Sequence, residues 1–151
     1  MKRICTILIT LFLSILGLSQ SFNGTIIRVI DGDTFVFQTS EDSLTIRMYG
    51  TDAPERNQPF SRESSDFLKQ FLDIEATIVA TGVDRYGRTL GILFIDGKDM
   101  NLLSIINGCS WHYKKYSKDI QYAKAEESAI KNELGLWKLD NPIPPWKWRK
   151  K

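Results

Sequence analysis

The chain has 151 residues and 17.3 kDa, with 42% hydrophobic and 25% charged residues, which is the composition of one folded globular domain. It has no repeat, no long run of one charge sign and only 10 Gly and 5 Pro, which excludes collagen-like, coiled-coil and disordered classes. The formal net charge of +2 does not itself predict a nucleic-acid partner, because it comes from two cations near the N-terminus.

Residues 1–19 have the pattern of an export signal. A cationic start precedes 15 uncharged residues (residues 4–18), and the small residues Gly17 and Ser19 have the spacing expected of a cleavage site. The uncharged run is shorter than the roughly 20 residues that cross a membrane, but it suits a signal peptide. We therefore expect cleavage near Ser19 and a secreted or periplasmic protein without membrane attachment. The alternative is a retained N-terminal anchor.

Removal of this segment changes the charge balance. Residues 20–151 carry 18 basic and 18 acidic side chains and have no net charge. Four cations lie in residues 147–151, so residues 20–146 have a net charge of −4. Cys109 is the one cysteine left, which rules out an internal disulfide, and we expect it to be a small buried side chain.

Five short segments rich in β-branched and aromatic residues predict strands. They are residues 25–30, 34–37, 44–49, 76–80 and 89–95. Asp31-Gly32-Asp33 predicts a hairpin between the first two strands. In the third strand, alternation places Arg47 on the face opposite Ile46 and Met48.

Three helices are predicted, and the whole pattern indicates a fold class. The helices are residues 60–72, residues 102–106 with Asn101 as the N-cap, and residues 117–134 ended by Gly135. Without βαβ alternation, these elements predict an α+β, mostly β domain: a five-stranded OB-type Greek-key barrel with three helices. We expect the domain to span residues 20–140 and residues 141–151 to form an extended, Pro-rich tail.

Three carboxylates at turns or strand ends suggest a metal site. Asp33 follows the first hairpin turn, and Asp52 and Glu55 follow the third strand. Two carboxylates and a backbone carbonyl suit Ca²⁺ or Mg²⁺, whereas one His and one mature Cys cannot build a zinc site. Each carboxylate taken alone is also typical of a turn residue, which is our interpretation of Asp31.

Two arginines strengthen this interpretation. Arg47 lies in the strand that leads to Asp52, and Arg88 lies in a turn before the fifth strand. Guanidinium groups bind phosphate oxygens and stabilise the charge that builds up when water attacks a phosphodiester. The two arginines and three carboxylates together predict phosphoryl chemistry. We expect Arg47, Glu55 and Arg88 to lie on an exposed face.

Three motifs, in this order, resemble the staphylococcal nuclease family: VIDGDT (residues 29–34), IRMYGTDAPE (residues 46–55) and DRYGR (residues 84–88). The resemblance extends over about residues 24–138. It implies a Ca²⁺-dependent nuclease that cuts DNA and RNA with little sequence preference and leaves 3′-phosphates. We expect a monomer without a stable protein partner.

Carried over by position, the resemblance implies a role for each site residue. Ca²⁺ is bound by the side chains of Asp33 and Asp52 and by the carbonyl of Ala53, which stands where the best-known member has Thr. Glu55 is the general base, and Arg47 and Arg88 bind phosphate. Further substrate contacts are expected from a basic and three aromatic side chains, of which the last two are alternatives for one position: Arg85, Tyr86, Tyr113 and Tyr116.

Two rival interpretations remain. A non-catalytic OB-type module could bind single strands through aromatic and basic side chains, but it would not need carboxylates that repel phosphate. A purely structural Ca²⁺ site would leave Arg47 and Arg88 unexplained. In the tail, Trp146 and Trp148 alternate with cations, so they either stack on bases or pack against the barrel.

Overall fold

A computed structural model describes residues 20–150, so the expected export signal lies outside the described residues. The strands are β1 Ser21–Val29, β2 Thr34–Gln38, β3 Ser43–Met48, β4 Thr51–Asp52, β5 Glu75–Val83, β6 Thr89–Ile95, β7 Lys98–Asp99 and β8 Trp111–His112. The helices are α1 Ser61–Lys69, α2 Met100–Ile106, α3 Ile120–Lys131, a 3₁₀ helix at Gly135–Lys138, and α4 Pro145–Trp148. In residues 20–150, no helix is long and apolar enough to span a membrane.

Five of the strands close into a barrel. Antiparallel pairing runs in the order β3-β2-β1-β5-β6, and parallel pairing of β3 with β6 closes the ring. In that closing pair, Ile46 lies opposite Thr89 and Arg47 lies opposite Leu90. The prediction of a five-stranded OB-type barrel is therefore confirmed. The short strands β4 and β8, which sequence analysis missed, pair with each other beside the barrel.

The barrel interior is filled by alternate side chains of its strands. Ile46 and Met48 of β3 are buried together with Phe35 and Phe37 of β2, and Leu68 of α1 closes one side of this core. A strand sends successive side chains to opposite faces, so the apolar side chains of β3 enter the core and Arg47 points the other way. The predicted orientation of β3 is confirmed, and the outward face of β3 becomes part of the site described below.

The N-cap predicted for α2 is wrong. The Asp99 side chain caps this helix by accepting the N–H of Leu102 at 2.8 Å. Asn101 is instead fully buried, and its Nδ2 donates to the carbonyls of Tyr49 and Gly91 at 3.0 and 3.1 Å. Asn and Asp cap helices equally well, so the sequence could not show that Asn101 is needed to satisfy strand backbone inside the fold.

The other two predicted helices are present but shorter than predicted. α1 ends at Lys69, inside the predicted range of residues 60–72. α3 begins after Asp119, whose side chain accepts the N–H of Gln121 at 2.7 Å. This cap fixes the helix start three residues after the predicted one, because a capping residue is itself outside the helix.

Part of the tail predicted to be extended is a helical turn. Pro145 begins α4, a position that suits proline because no N–H is needed there. Trp146 stacks in parallel on Tyr113, with ring centroids 5.3 Å apart, and meets Trp111 edge-on at 5.6 Å. Trp146 therefore packs against the segment around β8. Of the two alternatives given for the tail, this contact agrees with packing against the folded domain.

Cys109 lies in the segment between α2 and β8 and forms no disulfide. Burial raises the pKa of its thiol to about 11, so the thiol stays protonated at neutral pH. The prediction of a small buried side chain is confirmed.

Candidate active site

The turn between β1 and β2 positions Asp33. The Oδ1 atom of Asp31 accepts the N–H of Asp33 at 3.0 Å, so Asp31 is a turn residue, as predicted. A Cβ on Gly32 would lie 1.9 Å from Ser64 Oγ in α1 and 2.8 Å from Ala53 Cβ. Only glycine lets this turn lie so close to both, and Asp33 is consequently buried beside Ala53.

A single arginine joins two buried carboxylates. The Nη2 atom of Arg47 lies 3.1 Å from Asp33 Oδ2 and 3.0 Å from Asp52 Oδ1. Asp33 Oδ2 also accepts the N–H of Ala53 at 2.5 Å. The structure thus brings together Asp33, Arg47, Asp52 and Ala53, four of the predicted site residues. The expectation that Arg47 lies on an exposed face is wrong: its side chain is only 12% exposed, because the carboxylates that it bridges are themselves buried.

Burial makes the charged forms of Asp33 and Asp52 unfavourable. Burial raises the pKa of Asp33 well above its ordinary value, and the neighbouring carboxylates of Asp31 and Asp52 add to the rise that Arg47 opposes. Burial also raises the pKa of Asp52, against the attraction of Arg149 and Arg47. Both carboxylates therefore favour additional positive charge nearby.

Arg149 is a site residue that the sequence analysis missed. Its Nη2 lies 2.9 Å from Asp52 Oδ2, its Nη1 lies 3.2 Å from Asp52 Oδ1, and Nη1 also donates to Glu55 Oε1. Burial alone would lower the pKa of Arg149, but the hydrogen bonds to Asp52 and Glu55 raise it above its usual value. The sequence separation of 97 residues hid this contact, and the only signal for it was the cationic tail.

Gln58 was also missed, and it fixes the loop that carries Glu55. Gln58 Oε1 accepts the N–H of Glu55 at 3.0 Å, and Gln58 N–H donates to the Glu55 carbonyl at 2.8 Å. The Nε2 atom of Gln58 donates to the carbonyl of Ile143. One buried amide therefore ties the Glu55 loop to the start of the C-terminal segment.

The turn between β5 and β6 carries the other predicted arginine. Arg88 Nε lies 2.7 Å from Asp84 Oδ2, and Asp84 Oδ1 accepts the N–H groups of Tyr86 and Arg88 at 2.9 and 3.1 Å. Burial tends to raise the pKa of Asp84, but these hydrogen bonds lower it overall. Arg85 lies over the ring of Tyr86, 4.7 Å from its centroid. The described contacts pair Arg88 with Asp84 and not with the carboxylate cluster.

The two alternative tyrosines lie side by side. Tyr113 and Tyr116 meet edge-on with ring centroids 4.8 Å apart. Trp146 covers Tyr113, whereas Tyr116 is 60% exposed. The same pairing of β4 with β8 that places Asp52 opposite Trp111 brings this aromatic group near the carboxylates.

The residues present fit a hard divalent cation. Asp33 and Asp52 supply buried carboxylate oxygens whose charged form burial disfavours and a cation would stabilise, and Ala53 adjoins Asp33 through its N–H. Within the part of the chain that the structure describes, no group of three or more His, Cys, Asp or Glu side chains is arranged to bind a metal. The predicted donor set contains two such side chains, Asp33 and Asp52, besides the carbonyl of Ala53.

The barrel, with buried carboxylates and arginines beside it, defines a class of OB-type proteins that act on phosphate esters. The family described as Staphylococcal nuclease homologue matches residues 45–139. An "Uncharacterized endonuclease" of Escherichia coli O157:H7 is 34% identical over 134 residues, which cover 87% of this chain and 88% of that protein. A "Micrococcal nuclease" of Shigella flexneri is 32% identical over 141 residues, 85% of this chain and 81% of that protein.

A plant relative is similar to this chain over about a third of its own length. The "Staphylococcal-like nuclease CAN1" of Arabidopsis thaliana is 36% identical over 118 residues, which cover 76% of this chain and 36% of that protein. The chain belongs to the staphylococcal nuclease family. It is a nuclease, and its substrates are nucleic acids.

Proposed function

We propose that the protein is a Ca²⁺-dependent nuclease that hydrolyses DNA and RNA with little sequence preference and leaves 3′-phosphates. The observation that carries this proposal is the bridging of buried Asp33 and Asp52 by one nitrogen of Arg47, with Glu55 on the adjoining loop. A phosphodiesterase needs positive charge for the phosphate and a base for water, and this cluster contains groups for both tasks.

Ca²⁺ would be held by the carboxylates of Asp33 and Asp52 and by the carbonyl of Ala53. When bound, the cation supplies positive charge that offsets the charge on the phosphate oxygens. The raised pKa of both carboxylates, caused mainly by burial, supports this assignment, since a cation stabilises the charged form that burial disfavours.

The protein's own residues supply the remaining chemistry. Glu55 takes a proton from the attacking water, whose oxygen bonds to phosphorus while the bond from phosphorus to the 5′-oxygen breaks. The leaving 5′-oxygen takes a proton from solvent water and becomes a hydroxyl. Arg47 and Arg88 stabilise the negative charge that develops on the phosphate. Further substrate contacts in the proposal come from side chains at two exposed edges of the site: Arg85, Tyr86, Tyr113 and Tyr116.

Cleavage assays with and without Ca²⁺ test the metal assignment. Protein produced from the full-length chain is incubated with plasmid DNA or with RNA, in Ca²⁺, in Mg²⁺ or in excess chelator. We expect cleavage of both substrates in Ca²⁺, less in Mg²⁺, whose tight octahedral geometry fits this donor set less well, and none in chelator. Unchanged cleavage in chelator would contradict the metal assignment.

A matched pair of carboxylate variants tests the base. Glu55→Gln removes the proton acceptor, and Glu63→Gln removes an equal charge from the exposed first turn of α1. We expect Glu55→Gln to lower kcat about 100-fold or more, and Glu63→Gln to leave it unchanged. End-group analysis should find 3′-phosphates; 5′-phosphates would contradict the mechanism but not the metal site.

We also propose that the protein is exported and works in the periplasm or outside the cell, as a monomer. The cationic start and the uncharged run within residues 1–19 support export. Cell fractionation followed by N-terminal sequencing of the purified protein tests this, with a new terminus near Ser19 or Gln20 as the expected result. An intact N-terminus in the membrane fraction would favour the anchor.

A further inference from the structure

The last segment of the described chain, residues 144–150, lies across the site, and we refer to it as the C-terminal clasp. Its helical turn is held by the N–H groups of Lys147 and Trp148, which donate to the Pro144 carbonyl at 2.9 and 3.0 Å. Trp146 anchors the clasp on Trp111 and Tyr113. The clasp thus has its own local structure and a fixed seat beside β8.

The clasp covers groups that catalysis would use. The guanidinium of Arg149 contacts both oxygens of Asp52 and one oxygen of Glu55, so it lies on a proposed metal ligand and on the proposed base. Trp146 lies flat on Tyr113, one of the two tyrosines expected to contact substrate, with an angle of 5° between the rings. A cation and an aromatic plane of the chain itself occupy positions that suit a metal ion and a nucleobase.

We propose that the C-terminal clasp is an intramolecular competitor of divalent cation and nucleic acid, which Arg149 and Trp146 hold over the site until both ligands displace it. This inference rests on the proposed function for the identity of the ligands. Arg149 takes the place of the positive charge at Asp52 and Glu55, and its contact with Glu55 Oε1 makes that oxygen a weaker acceptor of a proton from water.

The local structure of the clasp is consistent with opening. Its helix is a single turn, which is too short to be stable alone, and the Arg149 side chain is 40% exposed. Several contacts hold the closed state, among them the Arg149 ion pairs, the contacts of Trp146 with Tyr113 and Trp111, the burial of Pro145, and the hydrogen bond from Gln58 to Ile143 just before the clasp. A single turn of this kind can open locally without unfolding of the barrel.

Calcium titration by calorimetry tests the competition without relying on cleavage. Protein produced from the full-length chain is compared with Arg149→Gln and with Lys150→Gln, which removes the same charge from an exposed position of the clasp. A clasp that is closed in about 90% of molecules weakens the apparent Ca²⁺ affinity roughly tenfold. We therefore expect Arg149→Gln to lower the Kd for Ca²⁺ about tenfold and Lys150→Gln to leave it unchanged.

Three results would overturn the proposal. An unchanged Kd in Arg149→Gln would mean that the guanidinium does not compete. A higher Kd would mean that Arg149 helps to arrange the ligands. No Ca²⁺ binding in either protein would remove the cation as a competitor.

Hydrogen exchange provides a second readout on the unmodified protein. The amides of Trp148 and Arg149 donate to Pro144 and Pro145 carbonyls at 3.0 Å in the closed clasp. Ca²⁺ together with a short oligonucleotide should speed their exchange, while amides of α3 stay protected. Bound ligands with no faster exchange in the clasp would overturn the proposal.

Cleavage assays on the same variants separate this inference from the proposed function. Tighter Ca²⁺ binding by Arg149→Gln without cleavage in either protein would support the clasp and contradict the nuclease assignment. Cleavage by the unmodified protein with an unchanged Ca²⁺ affinity in Arg149→Gln would contradict the clasp alone.

Discussion

The two arginine–aspartate groups of the site differ in how their charges are balanced. In the carboxylate cluster, Asp52 contacts two guanidinium groups and still has a raised pKa, because burial outweighs the attraction. In the turn between β5 and β6, Asp84 contacts one guanidinium and has a lowered pKa, because it also accepts two backbone N–H groups in a more open setting. Similar pairs of residues therefore have opposite electrostatic results.

The difference in pKa indicates different roles for the turn and for the carboxylate cluster. The turn satisfies its own hydrogen bonds, so Arg88 and Tyr86 form a preformed unit, which suits the substrate contacts that we propose for them. Burial disfavours the charged forms of Asp33 and Asp52, so the stability of the cluster depends on which cation is nearby. Burial of the cluster is therefore unfavourable for folding and favourable for binding a metal. The predictions below test this contrast from the largest expected effect to the smallest.

Removal of each arginine should separate the two regions most strongly. Both Arg47→Ala and Arg88→Ala should lower kcat about 100-fold or more, since in the proposed mechanism each removes charge that stabilises the transition state. Arg47→Ala should also lower the free energy of unfolding by about 3 kcal/mol, because it leaves two buried carboxylates without their shared partner. Steady-state kinetics and urea denaturation measure both effects. A stable Arg47→Ala would show that the cluster relaxes like an exposed turn.

Filling the space at Gly32 tests whether the position of Asp33 depends on close packing. Gly32→Ala would place a Cβ 1.9 Å from Ser64 Oγ, and Ser64 is held by its hydrogen bond to the Cys109 carbonyl. The turn must move, at a cost of about 1–3 kcal/mol, and Ca²⁺ affinity should fall with it. Gly87→Ala is the control, because a Cβ there meets nothing within 4 Å, although its φ of +79° adds backbone strain. Equal Ca²⁺ affinity in both variants would contradict the packing argument.

The sequence predicted the local parts of this site better than the distant ones. The five barrel strands, the hairpin turn and the outward face of β3 follow from patterns over a few residues, and the turn that carries Arg88 was predicted as well, although its ion pair with Asp84 was not. Arg149 and Gln58 could not be found in the same way, because their contacts join segments 94 and 85 residues apart. Asn101 was assigned to the wrong role because an asparagine side chain can either cap a helix through its oxygen or donate to strand carbonyls through its nitrogen, and the sequence does not distinguish the two.

Neutralising Asp33 should remove part of an unfavourable charge. Its raised pKa means that the folded state binds a proton more tightly than the unfolded state, so the free energy of unfolding falls as pH rises above the ordinary value of 3.8. Without metal, Asp33→Asn should therefore unfold at a temperature several degrees higher at pH 7, for a gain of about 1 kcal/mol in the free energy of unfolding. Thermal unfolding from pH 4 to pH 8 in chelator measures this, and the gain should shrink toward pH 4.

Calcium should reverse the ranking of these two proteins. With the proposed Ca²⁺ site, the unmodified protein should gain stability from bound Ca²⁺, whereas Asp33→Asn lacks a proposed ligand and should gain less. If Asp33→Asn were less stable than the unmodified protein at pH 7 in chelator, the conclusion that the buried charge of Asp33 destabilises the fold would be wrong.

The smallest effect is expected at Asp84, where the turn balances its own charges. Asp84→Asn keeps an oxygen that can accept the N–H groups of Tyr86 and Arg88, but it loses the ion pair with the Arg88 side chain. An ion pair at a partly exposed site contributes less than about 1 kcal/mol, so the melting temperature should change by only a few degrees. The kcat should fall less than about tenfold, because Arg88 keeps its charge and loses only one orienting contact.

The lowered pKa of Asp84 stabilises the fold above pH 3.8, so the stability difference between Asp84→Asn and the unmodified protein should shrink in acid, as it does for Asp33→Asn. At pH 7 the two substitutions should have opposite effects, because Asp84→Asn lowers the free energy of unfolding and Asp33→Asn raises it. A loss of kcat as large as that of Arg88→Ala would mean that Asp84 positions the guanidinium for catalysis, and that the turn is no more self-sufficient than the buried cluster.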